Sequence, residues 1–104
     1  MKSLTFKKLS KVNAKRCKEV FHPINDRSPT DWACALAGET GEYCNFVKKM
    51  RRGDNPNIKK IAKELADIII YADLNSTRLG IDLDEAVINK FNEISDKKNC
   101  NIKL

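Results

Sequence analysis

Proline and glycine are the residues whose positions most constrain the fold of this chain of 104 residues. Proline lacks a backbone donor and glycine is conformationally free, so both tend to mark the ends of helices. Breaks are expected near Pro23 and Pro29, near Gly53 and Pro56, and near Gly80. With only three prolines and four glycines in the chain, long helices are favoured over a turn-rich β fold. The sequence therefore predicts an all-α fold of four helices.

The first two helices are predicted from apolar spacing and from a capping signal. Residues 4–21 carry apolar side chains at helical intervals among many lysines, which predicts a loosely amphipathic helix. The segment "HPINDRSP" interrupts this pattern. Ser28 then has the position of an N-cap, with Pro29 as the first helical residue and Asp31 in the first turn. The second helix is expected to run to about Arg52, with Gly53 as its stop.

Similar signals predict the third and fourth helices. Asn55-Pro56 is expected to open the third helix, which continues to Gly80. Asp82 and Glu85 have the spacing of a capping box for a fourth helix, "LDEAVINKFNEISDKK". The apolar stripe of this fourth helix comprises Leu83, Ala86, Val87, Phe91 and Ile94. The last residues, "NCNIKL", are expected to fray or to pack as a short tail.

Length and composition indicate the class of protein. A chain of this length has room for one hydrophobic core, which predicts a single domain over residues 1–104. Apolar residues make up 41% and charged residues 33%, as in ordinary helical proteins. The amino terminus has no apolar signal region, and no run approaches the roughly 20 apolar residues that cross a bilayer. We therefore expect a soluble, cytoplasmic protein without a membrane partner.

The four cysteines are expected to be reduced. Cys17, Cys34, Cys44 and Cys100 form no C-x-x-C pair, and His22 is the one imidazole in the chain. A tetrahedral zinc site is therefore poorly supported. In a cytoplasmic protein such thiols usually fill space in the core.

The second helix carries two glutamates on or beside its apolar side. Its apolar stripe comprises Trp32, Leu36, Tyr43, Phe46 and Met50. Glu39 occupies the slot between Leu36 and Tyr43, and Glu42 follows at i+3. A buried carboxylate is costly unless it is protonated, paired or bound to a metal. The nearby Gly38 and Gly41 are expected to thin the side chains, so that a ligand or another helix can approach.

The third helix repeats this arrangement. Glu64 and Asp67 lie at i,i+3 in "KELADIIIYADL", a segment that is apolar on most sides. Two such pairs on facing helices would form a cluster of four carboxylates, whose hard oxygen ligands suit Mg²⁺ or Mn²⁺. Asp73, further along the same helix, could support a ligand. The alternative is that the four acids form salt bridges with lysines, for which the candidates are Lys48, Lys60 and Lys63.

Several segments in order resemble one protein family. "DWACALAGETGEYCNFVKKMRRG", "ELADIIIYADL", "RLGIDLDEAV" and "KFNEIS" resemble the MazG-like nucleotide pyrophosphohydrolases of the all-α NTP pyrophosphatase superfamily. The likeness covers about residues 28–95. The family's E-x-x-E and E-x-x-D motifs are matched by Glu39, Glu42, Glu64 and Asp67. The short single-domain form is similar to MazG-like proteins of bacteria and phages, which implies a bacterial cytoplasm or the cytoplasm of a phage host.

The resemblance implies a Mg²⁺-dependent hydrolase, with Mn²⁺ possible, that converts a nucleoside triphosphate into the monophosphate and pyrophosphate. All four acids would be metal ligands, and either Glu39 or Glu42 would accept the proton of the attacking water. Relatives form dimers or tetramers, so a homo-oligomer with a four-helix MazG-like fold is expected. The residues expected to contact the nucleotide are Lys48, Lys90, Asn92, Trp32 and His22.

Two other functions are compatible with the sequence. Twenty lysines and arginines against 14 acids give a net charge of +6, which suits an anionic partner. One alternative is therefore a small helical module that binds nucleic acid, although acids on apolar faces make this reading the weaker one. The other is a catalytically inactive MazG-like scaffold. The preferred base and sugar, and the choice among canonical, damaged and alarmone nucleotides, stay open.

Overall fold

Four α-helices and one 3₁₀ turn form the chain in the computed structural model, which describes residues 2–53, 55 and 57–104. The helices are α1 (Phe6–Val20), α2 (Pro29–Arg51), α3 (Ile58–Leu79) and α4 (Leu83–Lys97), and the 3₁₀ turn spans Ile24–Asp26. No strand occurs in these described ranges. The all-α prediction is confirmed.

The start of α2 has the predicted cap. The Ser28 hydroxyl accepts a hydrogen bond from the Asp31 amide at 3.0 Å, and the Asp31 carboxylate accepts one from the Ser28 amide at 3.1 Å. Pro29 is the first helical residue, where its missing N–H costs nothing. Arg52 is the C-cap, and Gly53 follows in the left-handed region with φ of 89°. These bounds agree with the prediction to within a residue.

The start of α3 was predicted wrongly. The helix begins at Ile58, and the side chain of Asn57 accepts a hydrogen bond from the Lys59 amide at 2.9 Å. The cap is therefore Asn57 rather than Asn55, and Pro56 lies outside the described residues. Both asparagines can cap a helix, so the residue type alone did not distinguish them. The end of α3 was predicted correctly, since Gly80 is its left-handed C-cap.

Helices α2 and α3 pack against each other in antiparallel orientation. Near the start of α2 the Trp32 carbonyl accepts a hydrogen bond from Asn75, near the end of α3, at 3.0 Å. Further along α2, Glu39 meets Glu64, which lies nearer the start of α3. Helix α1 also packs against α3. The buried cluster at this junction comprises Cys17, Trp32 and Leu74, with Ile24, Ile70 and Tyr71 packed against it.

Helix α4 packs mainly against α1, and its apolar stripe is not buried within this chain. Val87, Phe91 and Ile94 are 37%, 41% and 49% exposed. The side chain of Asn92 binds the backbone of Leu104, so the carboxyl-terminal tail folds back along α4. The predicted apolar stripe is therefore present on α4, and the described residues leave much of it exposed.

Other apolar residues also remain on the surface. Leu4 and Phe21, the apolar residues at the two ends of the predicted first helix 4–21, lie just outside α1 and are 68% and 72% exposed. Gly38 and Gly41 are exposed, and a Cβ atom built on either one would meet no atom within 4 Å. Within the described residues, no other helix occupies the space beside these glycines. Among the described residues, none of the helices has both the length and the hydrophobicity to span a bilayer.

Candidate metal centre and adjoining cavity

Three carboxylates meet where α2 and α3 face each other. Glu39 comes from α2, and Glu64 and Asp67 come from α3 at i,i+3 spacing. One oxygen of each side chain lies within 4.8 Å of the others, and all three residues are half-buried. We call Glu39, Glu64 and Asp67 the acid triad. The helical spacing predicted this convergence, because it puts each acid on the side of its helix that faces the other helix.

Two oxygens of the acid triad lack a protein partner. Glu39 Oε2 and Glu64 Oε2 are buried and have no hydrogen bond within the described part of the chain. Partial burial, and then the charges of Glu42, Asp67 and Glu64, raise the pKa of Glu39. Partial burial, and then the neighbouring Glu42 and Asp67 carboxyls, raise the pKa of Glu64. The protein thus holds carboxylates in a place where their charge is unfavourable without a cation.

Glu42 lies beside the acid triad and is not one of the three residues that converge. It is exposed on α2, one turn after Glu39. Its carboxyl is nevertheless near enough to both glutamates of the triad to raise the pKa of each. The predicted set of four is therefore three converging acids with a fourth at their exposed edge.

Salt bridges do not account for the acid triad. In residues 2–53, 55 and 57–104, Lys48, Lys60 and Lys63 form no ion pair with Glu39, Glu42, Glu64 or Asp67. The ion pairs of the described residues involve Lys90 and Lys97 with Glu93, and Lys103 with Asp96. All of these lie on α4 and the tail. The structure therefore does not support the salt-bridge alternative.

The acid triad has the donors that a hard divalent cation requires. Mg²⁺ and Mn²⁺ favour carboxylate oxygens, and Mg²⁺ is commonly held by a few carboxylates together with water and substrate phosphates. The two unpartnered oxygens of Glu39 and Glu64 are free to act as ligands. The donor set and its unmatched charge both fit such an ion.

A cavity of about 230 Å³ adjoins the acid triad. Asp67 belongs to both, and aromatic rings form much of the cavity wall. The ring centroids of Trp32 and His22 are 5.6 Å apart, and those of Trp32 and Tyr71 are 6.4 Å apart. Burial, followed by the charges of Glu39 and Asp67, raises the pKa of Tyr71. The structure thus places Trp32 and His22 together next to the acids.

The other predicted contact residues lie elsewhere. Lys48 is exposed in the last turn of α2, about 9 Å along the helix axis from Glu42. Lys90 forms an exposed ion pair with Glu93 at 3.3 Å, and Asn92 binds the tail at Leu104. None of these three lines the cavity beside the acid triad in this chain.

Helix α1 contributes residues that the sequence interpretation missed. Asn13 and Arg16 line the cavity, and Asn13 is 4% exposed. Asp73, which was expected to support a metal ligand, instead accepts hydrogen bonds from Ser10 and Asn13 on α1. A signal existed, since Asn13 stands four residues after Leu9 and four before Cys17 on the apolar side of α1. A polar residue in such a row indicates a buried hydrogen bond.

The acid triad and the cavity form one continuous site, because Asp67 belongs to both. The site draws on α1, on Phe21 and His22 just after it, and on α2 and α3, whereas no residue of α4 lines the cavity. No family model, curated protein or solved structure matches this chain.

Proposed function

We propose that the protein is a Mg²⁺-dependent nucleoside triphosphate pyrophosphohydrolase, with Mn²⁺ as an alternative ion, that releases a nucleoside monophosphate and pyrophosphate. The observation behind this proposal is the acid triad, in which Glu39 and Glu64 each have an unpartnered oxygen and Asp67 lines an aromatic cavity. The resemblance of residues 28–95 to the MazG-like family supports the same activity. In this proposal the triad holds the ion and the cavity holds part of the nucleotide.

The acids of α2 and α3 have two roles in the proposal. Glu39, Glu64 and Asp67 bind the ion, and Glu42 is placed to add a further ligand from the exposed edge. A bound divalent ion would neutralise the acids, polarise phosphate oxygens and stabilise the charge that develops on them. The carboxylates, held by two packed helices, fix where the phosphates can lie relative to the cavity.

A glutamate of α2 accepts the proton from the attacking water in this proposal. Glu39 is one candidate for this base, because its half-buried carboxyl has an oxygen to which no described protein group is hydrogen-bonded. Glu42 is the other candidate for this base, because it lies at the exposed edge of the triad, where water has access. Loss of the proton makes the water a stronger nucleophile. It attacks the α-phosphorus, the bond from this phosphorus to the α–β bridging oxygen breaks, and pyrophosphate leaves.

The cavity provides a place for the base of the nucleotide. Trp32, His22 and Tyr71 present aromatic surface to it, and nucleobases stack on such surfaces. Arg16 lines the same cavity and supplies a positive charge next to the acids. We further propose a homo-oligomer, in which a second copy covers exposed apolar faces such as that of α4.

The decisive experiment is a panel of nucleoside triphosphates with Mg²⁺, with pyrophosphate and orthophosphate measured separately. The proposal requires pyrophosphate and the monophosphate as products. Orthophosphate alone, or no turnover with any nucleotide or either ion, would contradict it. Glu64→Gln should abolish turnover, whereas the matched variant Glu85→Gln, which removes an exposed carboxylate from α4, should leave turnover unchanged.

A further inference from the structure

Asp73 is the one fully buried large side chain in the described part of the chain, and it connects α3 to α1. Its Oδ1 accepts a hydrogen bond from the Ser10 hydroxyl. Its Oδ2 accepts one from the Asn13 side-chain amide at 3.0 Å. Among the described residues no lysine or arginine forms an ion pair with it. The donors that satisfy this buried acid therefore come from α1.

The hydrogen bonds of Asn13 determine which end of its side chain is left for a ligand. Its nitrogen, which has two hydrogens, donates to Asp73 Oδ2 and to the Ile70 carbonyl, both at 3.0 Å. The reversed amide would place the Asn13 oxygen against two acceptors, so the observed orientation is electrostatically fixed. The oxygen Oδ1 has no donor in residues 2–53, 55 and 57–104, and it is not a fully buried atom.

Asn13 is 4% exposed, and the space that it borders is the cavity next to the acid triad. With both amide hydrogens used, the oxygen is the polar group that Asn13 can offer there. The aromatic walls suit a flat ring, and the indole N–H of Trp32 is already bonded to the Ile24 carbonyl at 2.9 Å. The cavity thus combines aromatic surface with a hydrogen-bond acceptor of fixed orientation.

We propose, on the basis of the proposed function, that the cavity binds the nucleobase and that Asn13 Oδ1 accepts a hydrogen bond from an N–H group of the base. Asp73 is then a positioning residue, because its carboxylate holds the Asn13 amide with the oxygen available. The substrate class is a nucleotide whose base presents an unblocked ring N–H or amino group. Bases in which methylation removes every hydrogen from that nitrogen (one methyl on a ring N–H, two on an amino group) are rejected, since an acceptor that the base covers without a donor is unfavourable.

The first test measures binding without catalysis. Trp32 is the one tryptophan of the chain and lies in the cavity wall, so its fluorescence reports entry of a base. Deoxynucleosides of the common bases are titrated against the protein in EDTA. We expect saturable binding of at least one deoxynucleoside, and binding about tenfold weaker for the analogue in which methylation leaves no hydrogen on the donor nitrogen. Equal affinity for the two, or no saturable binding of any deoxynucleoside, overturns the proposal.

The second test separates positioning from helix packing. In Asp73→Asn the side chain can itself donate to Asn13, so the Asn13 amide can reverse, and preference for the unmethylated nucleoside should fall toward unity. Ser10→Ala is the matched control, because it removes the other hydrogen bond to Asp73 and leaves the bond from Asn13. It should keep the preference. If both variants keep it, or both lose it equally, Asp73 has no specific positioning role.

Two further measurements are the binding preference of Asn13→Ala and the turnover of nucleotides by the wild type. Asn13→Ala removes the acceptor directly and should also abolish the preference, which covers the case in which Asp73→Asn does not fold. Nucleosides lack phosphates, so binding in EDTA is independent of hydrolysis. The predicted preference without any nucleotide turnover would support the base site and contradict the pyrophosphohydrolase. Hydrolysis at equal rates of a nucleotide and of its form with no hydrogen left on that nitrogen would support the pyrophosphohydrolase and contradict the base site.

Discussion

The acid triad gathers three carboxylates that have no positively charged partner from the described residues. Burial, and then the neighbouring carboxyls including that of Glu42, raise the pKa of Glu39 and Glu64, so the charged forms are disfavoured there. In the metal-free protein these charges repel one another. A cation that binds the folded state would reverse this effect and stabilise the fold.

Asp67→Asn distinguishes a metal ligand from a structural acid. Removal of one charge should leave the melting temperature of the metal-free protein unchanged or raise it, because repulsion within the triad is relieved. Mg²⁺ should stabilise the wild type, by about 2.7 kcal/mol at a hundredfold excess over the Kd. The variant should lose most of this response and most of its turnover. Calorimetry with and without Mg²⁺ measures both effects.

The alternative for Asp67 predicts the opposite sign. If Asp67 were paired with a buried lysine, the same variant would leave an uncompensated cation and lose about 3–5 kcal/mol, with or without Mg²⁺. Asp67 is not a ligand if Asp67→Asn is strongly destabilised in the absence of metal and still hydrolyses nucleotides when Mg²⁺ is added.

The raised pKa of Glu64 predicts a pH dependence of stability in the metal-free protein. A carboxyl whose pKa is higher in the folded state favours folding at low pH and loses that contribution as the pH rises through the folded pKa. Glu64→Gln has no such group. Its melting temperature relative to the wild type should therefore increase as the pH rises from the ordinary glutamate pKa of about 4.3 to neutral pH. A constant difference over this range, or a shrinking one, contradicts the pKa direction.

The capping box of α2 gives a prediction at the scale of one element. Ser28→Ala removes the acceptor for the Asp31 amide and should cost about 1 kcal/mol of stability. For a chain of this size that corresponds to a lowering of the melting temperature by roughly 4–8 °C. Thr30→Ala, at an exposed site one residue into the same turn, is the control and should have a much smaller effect.

Local signals predicted the helices more accurately than their packing. The Ser28 and Pro29 start and the Gly80 end depend on residues within one turn, so the sequence identified them correctly. The predicted start of α3 was wrong because Asn55 and Asn57 have the same side chain and can both cap a helix. The stripe of α4 predicted an apolar face correctly, but not whether another helix of the chain would cover it.

In the candidate site, too, features within one helix were predicted and contacts between distant helices were not. Spacing on α2 and α3 was sufficient to predict that Glu39, Glu64 and Asp67 converge, since each lies on the apolar side of its helix. The row on α1 indicated a buried hydrogen bond for Asn13, but neither its partner nor the contribution of Arg16 could be predicted, because both depend on how α1 packs against α3, far away in sequence. Periodicity describes one helix at a time and does not specify such contacts.

At the scale of the whole molecule, apolar exposure exceeds apolar burial. In the described residues the buried apolar side chains are Cys17, Trp32, Ile61 and Leu74. Exposed apolar side chains include Leu65 and Ile69 on α3 and several residues of α4. Large exposed apolar surfaces mark sites of association. We therefore expect light scattering to give the mass of at least a dimer and up to a tetramer; a fully active monomer of 11.8 kDa contradicts this expectation.

The α4 face can be tested directly. Phe91→Glu places a charge among exposed apolar residues and should shift the mass measured by light scattering toward the monomer. Asn89→Glu adds the same charge on the opposite side of the helix and should leave the mass unchanged. An unchanged mass in Phe91→Glu would show that another face forms the oligomer.

The acids of the triad come from two antiparallel helices, so the site depends on the packing of α2 against α3. Neither helix alone carries the whole set, so any fluctuation that separates α2 from α3 dissolves the site. An ion held there should suppress this fluctuation in both helices together. Amide hydrogen exchange near Glu39 and near Glu64 should then slow by a similar factor when Mg²⁺ is added. Amides of α4, which packs on α1, should exchange at the same rate as before.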